Sequence, residues 1–349
     1  MKFTVEPDQS SATGEWKRPG VFLVAEGVYR VALPLPFDGL QAVNVYLLTH
    51  DDRVTIIDSG WSIPESRELL LRALSSLDMS ALDIERFLIT HLHRDHYEQS
   101  IDMRLEFGTR VALGHAEEPT LDFVHSDQFK LPDIHLARLR AWGAADLADQ
   151  VTRTPAPSAE RRKAWEYPDE WISPGPTTVG PSRVLNAVHT PGHTIGHMVF
   201  HDDAAGLLFA GDHILPTITP SIGLEPIPNV NPLGNFMDSL RLVRTMPDAR
   251  LLPAHGPVTH SSHTRIDELL AHHVRRLDQC IDALDDGCST PYDVARHLKW
   301  TRHDRAFSEL DLMNATLATA ESGAHLELLV IQGRVRTEEI DGLRHFFAA

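Results

Sequence analysis

Apolar residues in the first third of the chain follow two periods, and each period predicts a different element. The segments "VFLVAEGVYRVALPL", "AVNVYLL" and "RVTIID" are rich in β-branched residues and separated by turn residues, which is typical of strands. The segment "PESRELLLRALSSL" carries leucines at helical spacing after an early proline, so it predicts a helix. "IERFLIT" and "RVALGH" predict two more strands.

The pattern changes over residues 116–176, which we interpret as an insertion, partly helical and partly a proline-rich loop without strand periodicity. Strands resume with "RVLNAVHT", "HMVFHD" and "GLLFAGDH", followed by a helix in "NFMDSLRLVRTM" and a short strand in "RLLPAH". This order predicts the α/β (α+β) class, with a sheet sandwich covered by helices. We expect a tail over residues 1–20, a main domain over 21–260 and a helical C-terminal domain over 261–349.

Composition excludes some classes of function and leaves others open. Acidic residues outnumber basic ones to give a net charge of −17, which disfavours nucleic acid as a partner. No apolar stretch approaches the roughly 20 residues of a membrane span, and no secretion signal is evident, so we expect a cytoplasmic protein. Cys280 and Cys288 are the only cysteines, which fits a reducing compartment. The oligomeric state stays open, with a homodimer as one alternative.

The segment "HLHRDH" concentrates metal-binding side chains directly after a predicted strand, in the loop at its C-terminal end. His91 and His93 are two positions apart and can point the same way in extended backbone. Asp95 and His96 are adjacent and can reach a second point. This spacing suits two metal ions side by side. Nitrogen and carboxylate ligands suit zinc, with iron or manganese as alternatives.

Three further metal-binding residues lie downstream, each next to a predicted strand. "VHTPGHTIGH" places His193 in a turn between two strands, "LLFAGDH" places Asp212 at the end of an apolar strand, and "LLPAHGP" does the same for His255. A carboxylate at the end of a buried strand requires a partner. Each segment alone is weak evidence, but the four in this order are highly specific.

Together, "THLHRDH", "HTPGHTIGH", "FAGDH" and "PAHG" resemble the metallo-β-lactamase superfamily over roughly residues 20–260. The resemblance implies an αββα sandwich with the site at one rim. It also implies one metal ion bound by His91, His93 and His193 and a second bound by Asp95, His96 and His255, with Asp212 bridging both. Asp58 matches a carboxylate that orients a histidine ligand in the family.

The resemblance narrows the function. Zinc β-lactamases lack a carboxylate at the Asp212 position, so the site is more similar to those of glyoxalase II, thioesterases, lactonases and phosphodiesterases. The C-terminal region resembles the winged-helix-like domain of β-lactamase-like protein 2. We therefore expect a metal-dependent hydrolase that uses a bridging hydroxide on a small ester-like substrate, above all a thioester of acyl-CoA or glutathione type. A lactonase, a phosphodiesterase or nuclease, and a metal-containing ligand sensor are the alternatives.

Several other residues have both a functional and a structural interpretation. Asp95 matches the family's candidate proton shuttle. Arg161, Arg162 and Lys163 could bind coenzyme A phosphates, although a solvated basic loop is the favoured interpretation. His189, His197 and His213 flank predicted ligands and are expected to be structural. The histidines that follow His255 are expected to face solvent for the most part; these are His260, His263, His272 and His273.

Overall fold

The computed structural model describes residues 2–9, 15–36, 39–126, 131–153, 165–227, 229–301 and 303–349, with side chains left out at 131–134. Two large sheets dominate this part of the chain, and helices lie on the outer face of each sheet.

The first sheet holds eight strands in chain order. The strands are Val5–Pro7 (β1), Val21–Ala25 (β2), Val28–Pro34 (β3), Ala42–His50 (β4), Arg53–Ile57 (β5), Ile84–Ile89 (β6), Arg110–Gly114 (β7) and Glu170–Ile172 (β8). Strands β2 to β5 pair antiparallel, whereas β5 to β8 pair parallel. The parallel strands place their C-terminal ends along one edge of the sheet.

The second sheet holds five strands in the order β13-β12-β11-β10-β9. The strands are Gly175–Val179 (β9), Arg183–His189 (β10), Met198–Asp202 (β11), Leu207–Gly211 (β12) and Arg250–Pro253 (β13). Strand β13 pairs parallel to β12, so both strands end at the same edge of this sheet.

Nine α-helices occur within the described residues. They are Pro64–Ser76 (α1), Arg94–Phe107 (α2), Glu118–His125 (α3), Leu131–Ala141 (α4), Ala145–Arg153 (α5), Pro232–Arg244 (α6), Ser262–Asp285 (α7), Pro291–His297 (α8) and Leu312–Ile331 (α9). Among the helices that the structure describes, none combines the length and hydrophobicity needed to cross a bilayer.

Three buried clusters account for the layering. One joins the outer face of the first sheet to α1 and α2, with Leu70 and Ile101 among its members. The second lies between the sheets and includes Leu48 and Phe209. The third joins the second sheet to α6, α7 and α9. Each layer therefore buries its apolar face against the next, which confirms the predicted αββα arrangement.

The C-terminal region combines helices with small hairpins. A short hairpin between α8 and α9 pairs Lys299–Trp300 (β14) with Arg305–Ala306 (β15). Helix α9 is followed by a longer antiparallel hairpin of Val335–Ile340 (β16) and Leu343–Ala348 (β17). The predicted helical C-terminal region is present, and the hairpins add a wing-like element to it.

The structure differs from the sequence-based expectations at four places. Residues 5–7, predicted as tail, form the edge strand β1 and pair parallel with β2. Strand β8 lies inside the predicted insertion and extends the first sheet. Helix α2 begins at Arg94, so the second half of "HLHRDH" is helical and not loop. His273, expected to face solvent, is fully buried.

Candidate metal centre

The seven predicted metal-binding residues are carried by four chain segments that meet at one rim of the sandwich. His91 and His93 follow β6, and Asp95 and His96 lie in the first turn of α2. The remaining three are His193 between β10 and β11, Asp212 directly after β12, and His255 two residues after β13. The fold thus brings together side chains that are up to 164 positions apart in the chain, from His91 to His255.

The first group consists of three imidazoles and a carboxylate. His93 Nδ1 lies 2.9 Å from His91 Nε2 and 3.0 Å from His193 Nε2. Asp212 Oδ2 lies 3.5 Å from His193 Nε2. The four residues each offer an atom within 4.8 Å of the others, so they could hold one metal ion.

The second group adjoins the first through Asp212. Asp95, His96 and His255 offer atoms within 4.8 Å of one another. The other oxygen of Asp212, Oδ1, lies 3.4 Å from His255 Nε2 and 3.7 Å from His96 Nε2. One carboxylate therefore presents a different oxygen to each group, which is the arrangement required of a bridging ligand.

Hydrogen bonds on the far side of each ring orient the imidazoles. His193 Nδ1 donates to the Ser221 carbonyl and His255 Nδ1 to the Ala42 carbonyl, both at 2.8 Å. Each of these rings therefore carries its proton on Nδ1 and directs the lone pair of Nε2 into the centre. Such partners fix the tautomer and the orientation of a metal-binding histidine.

Asp58 orients histidines of the "HLHRDH" segment through hydrogen bonds. Its Oδ2 accepts a hydrogen bond from His96 Nδ1 at 2.9 Å, and its Oδ1 accepts one from the Thr90 amide at 2.8 Å. The Thr90 hydroxyl donates to the same carboxylate and lies 3.0 Å from His91 Nδ1. Asp58 is 2 % exposed, so this network is shielded from water.

Replacing Asp58 by asparagine is expected to weaken metal binding at the centre by about 10–100-fold, because such partners contribute that much to metal affinity. Competition with a chromophoric chelator measures the change. Asp52→Asn is the matched control, since Asp52 is exposed a few residues away. An affinity equal to that of the control variant would show that Asp58 does not orient a ligand.

Three buried ligand atoms of the centre lack a hydrogen-bond partner within the described part of the chain. His96 Nε2, His255 Nε2 and Asp212 Oδ1 are buried and form no hydrogen bond with any described residue. Burial opposes the charged imidazolium, yet the Asp95, Asp58 and Asp212 carboxylates raise the pKa of His96 to about 10. Buried polar atoms without partners are costly, and divalent cations would compensate for them. The donor set thus fits the metal ions that the sequence predicts.

Glu117 is a buried carboxylate at the centre that sequence analysis missed. It accepts hydrogen bonds from the Leu92 amide at 3.3 Å and the Thr194 hydroxyl at 2.5 Å, so it bridges the two histidine-bearing loops. Burial raises its pKa to about 7. Gly196 permits the close approach, since a Cβ atom there would lie 2.3 Å from the Glu117 amide nitrogen.

Replacing Glu117 by alanine is expected to destabilise the protein by about 2–6 kcal/mol, because two buried donors lose their acceptor at about 1–3 kcal/mol each. Urea denaturation followed by circular dichroism measures the free energy of unfolding. Glu68→Ala, at an exposed position of α1, is the control. Equal midpoints for the two variants would contradict the bridging role.

The histidines that flank the predicted ligands make structural contacts. His197 Nε2 accepts a hydrogen bond from the Asp212 amide at 3.2 Å, and His197 Nδ1 lies 2.9 Å from the Thr190 hydroxyl. His189 Nε2 lies 2.8 Å from the Ile195 carbonyl. His197 therefore holds the backbone of Asp212 in place. The candidate coenzyme A residues Arg161, Arg162 and Lys163 lie outside the described residues.

Comparison with known proteins identifies the family of this chain. The family model described as the metallo-beta-lactamase superfamily matches residues 38–255, which is more than half of the chain. The chain belongs to this superfamily. The matched range contains all seven predicted metal-binding residues and Asp58.

The curated relatives of this chain carry several different names. It is 25% identical over 263 residues to an atrochrysone carboxyl ACP thioesterase of Aspergillus fumigatus, an alignment that covers 74% of this chain and 49% of the relative. It is 26% identical over 253 residues to the beta-lactamase-like protein 2 homolog of Caenorhabditis elegans, covering 72% of this chain and 68% of the relative. The chain thus spans about half the length of the thioesterase.

Two solved structures are similar to this chain over nearly its whole length. A metallo-beta-lactamase family protein from Thermus thermophilus superposes with a TM-score of 0.76 at 26% identity, covering 94% of this chain and 100% of that chain. A beta-lactamase domain protein from Burkholderia ambifaria gives 0.72 at 27% identity, covering 95% and 94%. The similarity extends beyond the matched domain into the C-terminal region.

Proposed function

We propose that this protein is a metal-dependent hydrolase that cleaves a small thioester at a centre of two divalent ions, zinc being the best fit. The observation that carries the proposal is the position of Asp212, whose two oxygens face two separate groups of buried ligands. His91, His93 and His193 would hold one ion and Asp95, His96 and His255 the other. When bound, two such ions supply a water activated at neutral pH and a polarised carbonyl.

Charge supports a role in hydrolysis. Asp95 and Asp212 contribute two negative charges, whereas the five imidazoles are neutral once they bind metal. Two divalent ions would therefore leave the ligand set with an excess positive charge inside an acidic protein. A carbonyl oxygen or an anionic group is attracted to such a site. Asp95 belongs to the second group and is the partly exposed carboxylate of the centre, so we infer that it would accept the proton of the attacking water.

The leaving group favours a thioester over an amide. A thiolate departs without protonation, whereas an amide nitrogen requires a general acid. The thioesterase name of a curated relative points the same way. The pair of metal-binding groups is equally able to bind a phosphodiester, but the net charge of −17 opposes a nucleic acid, whose phosphates repeat along the whole polymer.

A hydrolysis panel on metal-quantified protein tests the proposal. The panel contains acetyl-CoA, a glutathione thioester, a homoserine lactone, bis-p-nitrophenyl phosphate and a cephalosporin. We expect kcat/KM to be at least about 100-fold higher for a thioester than for the other three classes, which is a difference of about 2.7 kcal/mol. A higher value for the lactone or the phosphodiester, or no hydrolysis of any thioester, would overturn the proposed substrate class.

A further inference from the structure

A second concentration of histidines lies between helices α7 and α9, away from the centre described above. We propose that His272, His273 and Glu321 bind an additional transition-metal ion, with zinc as the best fit, which fastens α7 to α9. This inference does not depend on the proposed hydrolase function.

The three side chains already converge. One nitrogen of each histidine and one oxygen of Glu321 lie within 4.8 Å of one another. A tetrahedral zinc ion with bonds of about 2.0–2.1 Å places its ligands roughly 3.3 Å apart, so small side-chain rotations would close the site. Three protein ligands leave a fourth position for water.

A chain of hydrogen bonds fixes the tautomer of His273. His325 Nδ1 donates to the Glu321 carbonyl at 2.7 Å, so His325 Nε2 carries a lone pair. That lone pair accepts from His273 Nδ1 at 3.2 Å, which leaves the lone pair of His273 on Nε2. His273 is fully buried, and its Nε2 has no hydrogen-bond partner among the described residues. This is the state of a histidine prepared to bind a metal ion.

The charges around the site favour neutral histidines. Burial and the neighbouring guanidinium groups, first that of Arg276, lower the pKa of His272 to about 4. Burial also lowers the pKa of His273 well below its usual value, so neither ring must release a proton to bind metal. Burial raises the pKa of Glu321 against the effect of Arg276, and a cation would favour its carboxylate form.

The guanidinium group of Arg276 limits the affinity of the site for a metal ion. The partial exposure of two ligands allows the ion to enter from solvent. Because Arg276 repels a nearby cation, we expect binding in the micromolar range, weaker than at a centre with two carboxylates. His272 and Glu321 are partly exposed, so an ion can reach the site from solvent. Phe236 of α6 packs edge-on against His273 with ring centroids 5.5 Å apart, which connects the site to the layer over the second sheet.

The test uses the full chain with the centre weakened by the double variant His91→Ala/His255→Ala, which removes one ligand from each of its two groups. Cobalt titration, followed by visible absorption and by competition with a chelator, reports the remaining sites. We expect one equivalent to bind, and its affinity to fall at least 10-fold when His272→Gln or Glu321→Gln is added. His260→Gln and Glu268→Gln, both exposed, are the matched controls.

Absence of cobalt binding in a folded double variant would overturn the proposal, as would equal affinities in the site and control variants. If the double variant does not fold, metal analysis of the otherwise unchanged protein replaces it. His272→Gln should then lower the zinc content by one equivalent with thioester hydrolysis unchanged, and an unchanged zinc content would contradict the site.

Discussion

Replacing Asp212 by asparagine is expected to lower kcat/KM for thioester hydrolysis by roughly three orders of magnitude, or about 4 kcal/mol. Asp212 Oδ2 faces His193 and Oδ1 faces His255. An asparagine of the same shape keeps one oxygen and loses the negative charge, so it cannot bind two cations at once. Steady-state kinetics on metal-quantified protein measures the loss, and plasma mass spectrometry should show that one ion leaves the centre.

The control for this prediction is Asp52→Asn, which removes the same charge from an exposed turn. Its kinetics and metal content should match those of the unaltered protein. If Asp212→Asn retained both ions and a rate within about tenfold of the original, the carboxylate would not be a bridge, and the two groups of ligands would have to act independently.

Replacing His193 by alanine is expected to have an effect of similar size, again about three orders of magnitude in kcat/KM. His193 Nε2 lies 3.0 Å from His93 Nδ1, so its loss removes one of three imidazoles from the first group. The remaining two histidines and Asp212 bind metal less tightly, and the ion no longer has a fixed position. Dialysis against buffered zinc, followed by metal analysis, should show preferential loss of one ion.

His260→Ala is the control for the loss of an imidazole, because His260 is exposed and lies outside the centre. Near-normal turnover by a metal-quantified His193→Ala sample would refute the assignment of the first group. Loss of turnover with an unfolded circular dichroism spectrum would instead indicate a structural role, and His193→Gln then provides a smaller perturbation for the same comparison.

The strands and the first helix were predictable because each has a regular pattern of apolar residues. Helix α1, expected from "PESRELLLRALSSL", spans Pro64–Ser76. Strand β1 was missed because it is three residues long and only partly buried, so its apolar pattern is too short to be distinctive. Strand β8 was missed for the same reason. It is defined by its pairing with β7, because its own sequence is too short to show a strand period.

The convergence of the seven predicted ligands was predictable because their segments follow apolar strands, and strand ends gather at one rim of a sandwich. The residues that support them were harder to find. Asp58 was identified only through the family resemblance. Its backbone has a positive φ of 60°, and the spacing of residues in the sequence does not predict such a conformation. Glu117 lies in the segment that the sequence predicts as an insertion. Its structural role depends on hydrogen bonds from Leu92 and Thr194, which are distant in the chain.

Burial of histidines on a long helix could not be read from the sequence. Helix α7 has 24 residues, and its polar positions are partly covered by α9, which follows later in the chain. His273 therefore becomes buried through tertiary packing, although two arginines, Arg275 and Arg276, follow it closely in the sequence. The same limit applies to any side chain whose environment is supplied by a distant element.

As proposed, two metal ions share Asp212 between the two groups of ligands. Crystals grown with zinc and measured on both sides of the zinc absorption edge test this sharing most directly. We expect two anomalous peaks about 3.5–4 Å apart, one among His91, His93 and His193 and the other among Asp95, His96 and His255. A single peak at the centre of a zinc-saturated crystal, or none, would show that Asp212 is not shared by two ions.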